Sequence, residues 1–222
     1  MTTTVVADGA VRLRITEIFA SVQGESTRVG LPTVFVRLTG CPLRCTWCDT
    51  AYAFQGGHAR ELGAVMDEVA SHGLHHVCVT GGEPLAQKGC LALLGALCDA
   101  GYSVSLETSG ALDISAVDPR VARIVDLKAP GSGEEARNRL QNLALLGPRD
   151  ELKFVLADEA DYEWAKRQLV EHRLAGRCEL LFSPVAGQLE PARLAEWIVR
   201  DRLPVRFQLQ LHKILWNDAR GR

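Results

Sequence analysis

Apolar residues follow two alternating rhythms along the chain. Runs that are almost wholly apolar, or that alternate apolar with polar, lie at 13–20, 33–38, 76–80, 103–107, 123–127, 151–156, 179–182 and 205–209, and read as strands. Over 61–72, 89–100, 133–146, 158–173 and 191–202, apolar residues instead return every three or four positions, the rhythm of amphipathic helices. Gly73, Gly101, Gly147 and Gly176 stand where these helices should end, because glycine takes the left-handed backbone of a C-cap without a steric penalty. Pro191 opens the last helix, where its missing N–H is not needed. Strand then helix, repeated, predicts a mostly parallel sheet with right-handed crossovers. The 222 residues fall short of the roughly 250 of a closed eightfold barrel. The expected fold is therefore α/β, an incomplete (open) parallel β/α barrel forming one domain over 1–222, with a short flexible segment over about 1–11. Ligands of such folds gather beyond the C-terminal ends of the strands. That points to the positions after Leu38, Thr80, Leu106, Val125, Phe182 and Leu209.

Composition narrows the picture by exclusion. With 47% hydrophobic and 23% charged residues the chain has the apolar content to fold, and its length lets it bury roughly 70% of the surface exposed when unfolded. Lys and Arg number 25 against 27 Asp and Glu, so a nucleic-acid partner is not expected. No apolar run approaches the roughly 18 residues of a membrane span. Residues 1–14 carry no apolar signal core, so a cytoplasmic location is expected.

Seven cysteines are an odd number for a disulfide framework, and a reducing compartment suits them better. Cys78, Cys90, Cys98 and Cys178 lie in apolar patterns and read as small core residues. Cys41, Cys45 and Cys48 crowd into the eight residues that follow the strand at 33–38, with the spacing C-x3-C-x2-C. Three thiolates can wrap one face of a [4Fe–4S] cluster and leave one iron open for a small molecule. They can also form a zinc knuckle, which would need a fourth ligand, or be incidental thiols. A second motif, Gly81-Gly82-Glu83-Pro84, follows the strand at 76–80. Its glycines allow close backbone approach to a ligand, and Glu83 could accept from a cationic amine; a plain turn before a helix is the simpler alternative.

Together, C-x3-C-x-aromatic-C and Gly-Gly-Glu-Pro at successive strand ends resemble the radical S-adenosylmethionine (SAM) enzymes. Further segments narrow the resemblance: 15–26, with Gln23-Gly24-Glu25-Ser26; Val34 to Leu38; Cys48-Asp49-Thr50; Glu107-Thr108-Ser109-Gly110; Asp126-Leu127-Lys128; Leu152-Lys153-Phe154; and Gln208 to Lys213. The set is similar to the 7-carboxy-7-deazaguanine synthase family of queuosine and deazapurine biosynthesis. The resemblance implies a lyase that turns 6-carboxy-5,6,7,8-tetrahydropterin into 7-carboxy-7-deazaguanine with loss of ammonia. It implies a [4Fe–4S] cluster, SAM and Mg²⁺ as cofactors, a flavodoxin-type electron donor and a homodimer. By position, Cys41, Cys45 and Cys48 match the cluster ligands, and Thr50 the Mg²⁺ ligand. Trp47, Gly82, Thr108, Ser109, Asp126, Leu127, Lys128 and, more weakly, Ser183 fall where the family contacts SAM. Val22, Gln23, Gly24, Glu25, Arg37, Thr80 and His212 fall where the pterin sits. Many members read Gln-Gly-Glu-Gly where this chain has Ser26.

The residue types suit these implied roles. Gln23, Glu25 and the Gly24 backbone can pair with the donors and acceptors of a pterin edge. Arg37 can grip a carboxylate bidentately, and one hydroxyl suffices for a Mg²⁺ ion that keeps waters and substrate oxygens. Each has a plainer alternative: Thr50 as a helix cap, Glu25 as a solvated acid, His212 as a packed residue, and Arg37 as the partner of an interior acid such as Glu107. Two rival functions remain: a glycyl-radical-enzyme activase of the same superfamily, and a zinc-binding interaction module.

Overall fold

The computed structural model describes residues 11–217 and 219–222. The expected loose segment over about 1–11 lies, but for Val11, outside the described residues. Among the described residues a nine-stranded open sheet runs in the order β3-β1-β2-β4-β5-β6-β7-β8-β9. Its strands are β1 (Arg12–Val22), β2 (Pro32–Leu38), β3 (His58–Glu61), β4 (His76–Gly81), β5 (Ser103–Thr108), β6 (Ala122–Asp126), β7 (Glu151–Leu156), β8 (Glu179–Pro184) and β9 (Arg206–Phe207). From β2 through β9 all pairings are parallel. β1 pairs antiparallel with both β2 and β3, which gives the sheet an antiparallel edge that the strand–helix rhythm does not show.

Among the described residues five α-helices accompany the sheet: α1 (Leu62–Ser71), α2 (Cys90–Asp99), α3 (Glu159–Glu171), α4 (Pro191–Asp201) and α5 (Leu211–Trp216). Asp158 caps α3 by accepting from the Asp161 N–H at 2.9 Å. Gly73 and Gly101 follow α1 and α2 with φ of 65° and 85°. The other two expected caps fall elsewhere. Arg173 and Arg202, not Gly176, take the left-handed backbone at the ends of α3 and α4, and Gly147 follows no α-helix.

The helix expected over 133–146 does not form; short 3₁₀ turns at Pro130–Ser132, Glu135–Arg137 and Leu140–Leu145 replace it. Its asparagines explain the difference. The Asn138 side chain accepts from the Lys128 N–H and donates to the Lys128 carbonyl. The Asn142 amide donates to the carbonyls of Gly110 and Leu112. Side chains committed to neighbouring backbone compete with helical pairing. Two elements were not foreseen, the short edge strand β3 and the six-residue α5.

Alternation along the strands sorts residues between two faces. Val34, Val36, Leu38, Val77, Val79, Val104, Leu106, Leu152, Phe154 and Leu156 are buried in one core with Leu93, Leu94 and Leu97 of α2 and Trp164 of α3. The opposite face lines a cavity, and there the same strands and β6 carry Phe35, Arg37, Thr80, Glu107, Asp126 and Lys153.

Close backbone contacts fix the loops at the cavity floor. The Gly82 N–H donates to the Leu38 carbonyl at 3.1 Å, and the Glu83 N–H donates to the Gly40 carbonyl at 2.7 Å. A Cβ on Gly82 would sit 2.4 Å from the Gly40 oxygen. Gly95, inside α2, has nothing within 4 Å of such an atom. Gly82→Ala should therefore destabilise by about 1–3 kcal/mol through overpacking. Gly95→Ala should stabilise by about 0.5–1 kcal/mol through helix propensity. Opposite shifts of the thermal midpoints of the two variants would check both.

Candidate active site

The cavity of about 770 Å³ opens at the C-terminal ends of the parallel strands. The loop after β2 enters it first. Gly40, with φ of 102°, turns the chain out of the strand, and the half-buried Cys41, Cys45 and Cys48 face the cavity. The loop is tied down on its far flank, where the Thr46 N–H and hydroxyl donate to the carbonyls of Ser132 and Gly131. Burial pushes the Cys41 and Cys45 thiols up, with Lys128 nearby pulling them down. Three thiolates on one short loop are the donor set of a [4Fe–4S] cluster, each binding its own iron and leaving one iron open.

Cys78 and Cys90 are buried, and Cys98 and Cys178 pack partly buried against the core, away from the cavity.

Glu83 is not available to an amine ligand. It has no solvent exposure, and its carboxylate accepts from the Leu85 and Ser109 N–H groups and from the Thr108 and Ser109 hydroxyls. It fixes Thr108 and Ser109, which line the cavity together with Trp47, Gly82, Asp126 and Lys128. Lys128 donates to Asp126 Oδ2 at 2.9 Å, and Asp126 Oδ1 is buried with no partner among the described residues. An orphaned acceptor on a cavity wall can take a donor from water or from a ligand, and the amine and ribose hydroxyls of SAM are donors of that kind. Two residues aligned with SAM contacts lie off the wall. Leu127 turns into the hydrophobic core, as its place next to inward-facing Asp126 demands, and the buried Ser183 does not line the cavity.

The opposite wall comes from β1, its following loop and α5. Gln23 is buried; its amide donates to Glu107 Oε1 at 3.2 Å, and its carbonyl accepts from the Glu25 N–H at 3.1 Å. The Thr80 hydroxyl donates to Glu107 Oε2 at 3.0 Å. Gly24 is required by a close approach: a Cβ there would meet His212 Nδ1 at 2.4 Å, and its carbonyl accepts from the Leu211 N–H. Val22 and His212 line the same wall. Ser26 adopts φ of 68°, a backbone that glycine takes more easily. It is held there by paired bonds to the Gln208 side chain, both 2.7 Å.

Glu25 is not a solvated acid. It is ion-paired with Lys153 of β7 and accepts from the Gln210 amide at 2.6 Å. Burial disfavours the Lys153 charge, yet Glu25 and Asp126 hold its ammonium above the ordinary value. Arg37 pairs with Glu17 of β1, whose Oε1 accepts from Arg37 Nε at 2.7 Å; Glu107, expected as the alternative partner, is taken by Gln23 and Thr80. The Thr50 hydroxyl donates to Asp49 Oδ1 at 2.9 Å and does not cap the turn that follows it.

Several residues have no role in the sequence reading: Asp49, Tyr52, Lys153, Gln210 and Lys213 on the wall, and Glu17, the partner of Arg37. Lys153 carried a signal, an ionisable residue between Leu152 and Phe154 in the middle of a strand. Asp49 sits in an irregular loop and Tyr52 in the short 3₁₀ turn Ala51–Ala53 that follows it, where no periodicity marks which side chains turn inward.

Comparison with known proteins agrees with this geometry. Residues 35–130 match the radical SAM superfamily. The chain is 54% identical over 213 residues to a 7-carboxy-7-deazaguanine synthase of Chlorobaculum tepidum, covering 94% of this chain and 97% of that one. It is 42% identical to the synthase of Koribacter versatilis, covering 92% and 97%. The crystal structure of QueE from Escherichia coli superposes with a TM-score of 0.75 at 25% identity, covering 90% of this chain and 95% of the other. With relatives this similar over nearly its whole length, the chain belongs to the 7-carboxy-7-deazaguanine synthase family of radical SAM enzymes.

Proposed function

We propose that this protein is a radical SAM lyase that converts 6-carboxy-5,6,7,8-tetrahydropterin to 7-carboxy-7-deazaguanine with loss of ammonia, in queuosine biosynthesis. The observation that carries the reading is the shared cavity. The cysteine loop and the Asp126–Lys128 edge face one side of it, and an arginine-bearing wall with fixed polar groups faces the other. When bound, the cluster and SAM supply the one-electron chemistry that starts the ring rearrangement. The chain's own residues hold, orient and enclose the reactants.

Cys41, Cys45 and Cys48 are the proposed cluster ligands. Asp126 Oδ1, Thr108, Ser109, Trp47 and the Gly82 backbone face the SAM position. On the pterin side, Gln23, Thr80 and Glu107 form one fixed network, so their orientation is set before substrate arrives. Glu25 uses part of its acceptor capacity on Lys153 and Gln210, and a carboxylate with about four lone-pair sites retains room for a pterin N–H. Val22, the Gly24 backbone and His212 complete this face. Arg37 takes the substrate carboxylate. Thr50, whose hydroxyl donates a hydrogen bond to Asp49, keeps its oxygen lone pairs for Mg²⁺, a hard cation that takes oxygen ligands. A flavodoxin-type electron donor and a homodimer belong to the same proposal. All seven thiols are free, which suits the cytoplasm, and no helix among the described residues is long and apolar enough to cross a membrane.

The direct test is an anaerobic assay of the reconstituted protein with SAM, Mg²⁺ and carboxytetrahydropterin, following the deazapurine chromophore. Single Cys→Ala changes at 41, 45 or 48 should abolish turnover and lower iron content, while Cys178→Ala should keep both; full iron content without Cys45 would remove that ligand. Thr50→Ala should weaken Mg²⁺ activation with the cluster spectrum intact, and Thr50→Ser should retain much of the activity. An unaltered Mg²⁺ titration in Thr50→Ala would take Thr50 out of the site. Arg37→Lys keeps the charge but loses the planar fork. It should cost on the order of 1.5–3 kcal/mol of substrate binding, read as a raised substrate KM with SAM binding little changed.

A further inference from the structure

A single extra residue in β1 changes which way its side chains point. Ile15 lies opposite Leu38 of β2, but Glu17 lies opposite Arg37, so Thr16 is an unpaired bulge between them. Before the bulge, Leu13 and Ile15 turn into the helix-covered core. After it, Phe19 turns to the cavity wall, opposite Phe35, and stacks on it with ring centroids 5.1 Å apart. In an unbroken strand Ile15, Glu17 and Phe19 would share one face. The bulge lets a strand that begins in the core present a carboxylate directly across from Arg37.

That carboxylate is used closely. Its Oε1 accepts from Arg37 Nε and from the Tyr52 hydroxyl, both at 2.7 Å. The Glu17 and Arg37 side chains are only 20% and 16% exposed, so the pair is well screened from water. Phe19 and Tyr52 flank the guanidinium with ring centroids 5.8 and 5.9 Å from its carbon. Burial and the bond to Glu17 push the Tyr52 phenol up to about 12, so it remains a proton donor at neutral pH. A guanidinium anchored at Nε by an acid and packed against rings has a fixed plane, and its two Nη groups remain for a second planar anion.

We infer that Glu17 is a positioning residue for this reaction, setting the plane and reach of Arg37 so that its Nη fork meets the carboxylate of the pterin substrate. Tyr52 holds the same Glu17 oxygen from the other side. The inference rests on the reading that Arg37 takes the substrate carboxylate. It adds that the fork's geometry, and not only its charge, selects a carboxylated pterin.

The test compares reconstituted holoenzyme carrying Glu17→Gln, Glu17→Ala, Arg37→Lys, or Glu17→Gln with Arg37→Lys. The readouts are substrate KM, SAM KM, kcat and thermal midpoint. Glu17→Gln should raise the substrate KM roughly tenfold, the loss typical of a charge-assisted bond, and Glu17→Ala should raise it further. In both, kcat and the SAM KM should change less than twofold. In the Arg37→Lys background Glu17→Gln should add less than twofold, because there is no longer a fork to orient. Fully additive effects would overturn the inference, as would equal losses of thermal midpoint and of both KM values. An unaffected substrate KM in Glu17→Gln beside a raised one in Arg37→Lys would overturn the inference alone. An unaffected KM in Arg37→Lys would overturn the underlying reading of Arg37 as well.

Discussion

The cavity floor hangs on one buried carboxylate. Glu83 has no solvent exposure, a placement tolerable only when every oxygen is satisfied. Its backbone N–H reaches the cysteine loop at Gly40, and its oxygens collect the Thr108 hydroxyl and the Ser109 N–H and hydroxyl at the end of β5. The loop that presents the thiolates, the turn that follows β4 and the end of β5 thereby become one rigid body. Gly81 and Gly82 are glycines because that body leaves no room for a Cβ: the nearest atoms would be the Leu38 and Gly40 carbonyl oxygens, at 2.3 and 2.4 Å.

Above that floor, the inner face of the sheet carries charges where a closed barrel would pack apolar layers. Glu107 gathers Gln23 and Thr80, Lys153 meets Glu25, Asp126 meets Lys128, and Asp49 meets Lys213. Gln210 ties two of these pairs together by donating to Glu25 and to Asp49. Gln210 is the N-cap residue of α5, so this wall helix is anchored to both the cysteine loop and the loop after β1. Paired charges at fixed positions are pre-organised, so binding need not reorient them.

Much of this was legible in the sequence, because strand alternation and strand ends are local properties. The face of β2 that bears Phe35 and Arg37 follows from period two alone, and the C-terminal ends of the strands do surround the cavity. Features set by contacts between distant segments were not legible. Nothing in the run 133–146 shows that Asn138 and Asn142 will bond to backbone brought in from other loops. Nothing near Glu83 shows that it will be enclosed and consumed by residues 25 and 26 positions away. Leu127 was grouped with its polar neighbours by motif, although alternation places it in the core. The partner of Arg37 was sought on β5, whereas a bulge brings one from β1.

The bulge at Thr16 makes β1 a strand written in two reading phases. Its first half obeys the helix-covered side of the sheet and its second half obeys the cavity, and one surplus residue separates them. Such a strand depends on the presence of Thr16 as well as on its hydroxyl, which meets that of Thr39 at 2.7 Å. Removing Thr16 would force the two halves into a single phase. Either Leu13 and Ile15 would leave the core, or Glu17 and Phe19 would be driven into it. Length at this point sets which way both halves of the strand face.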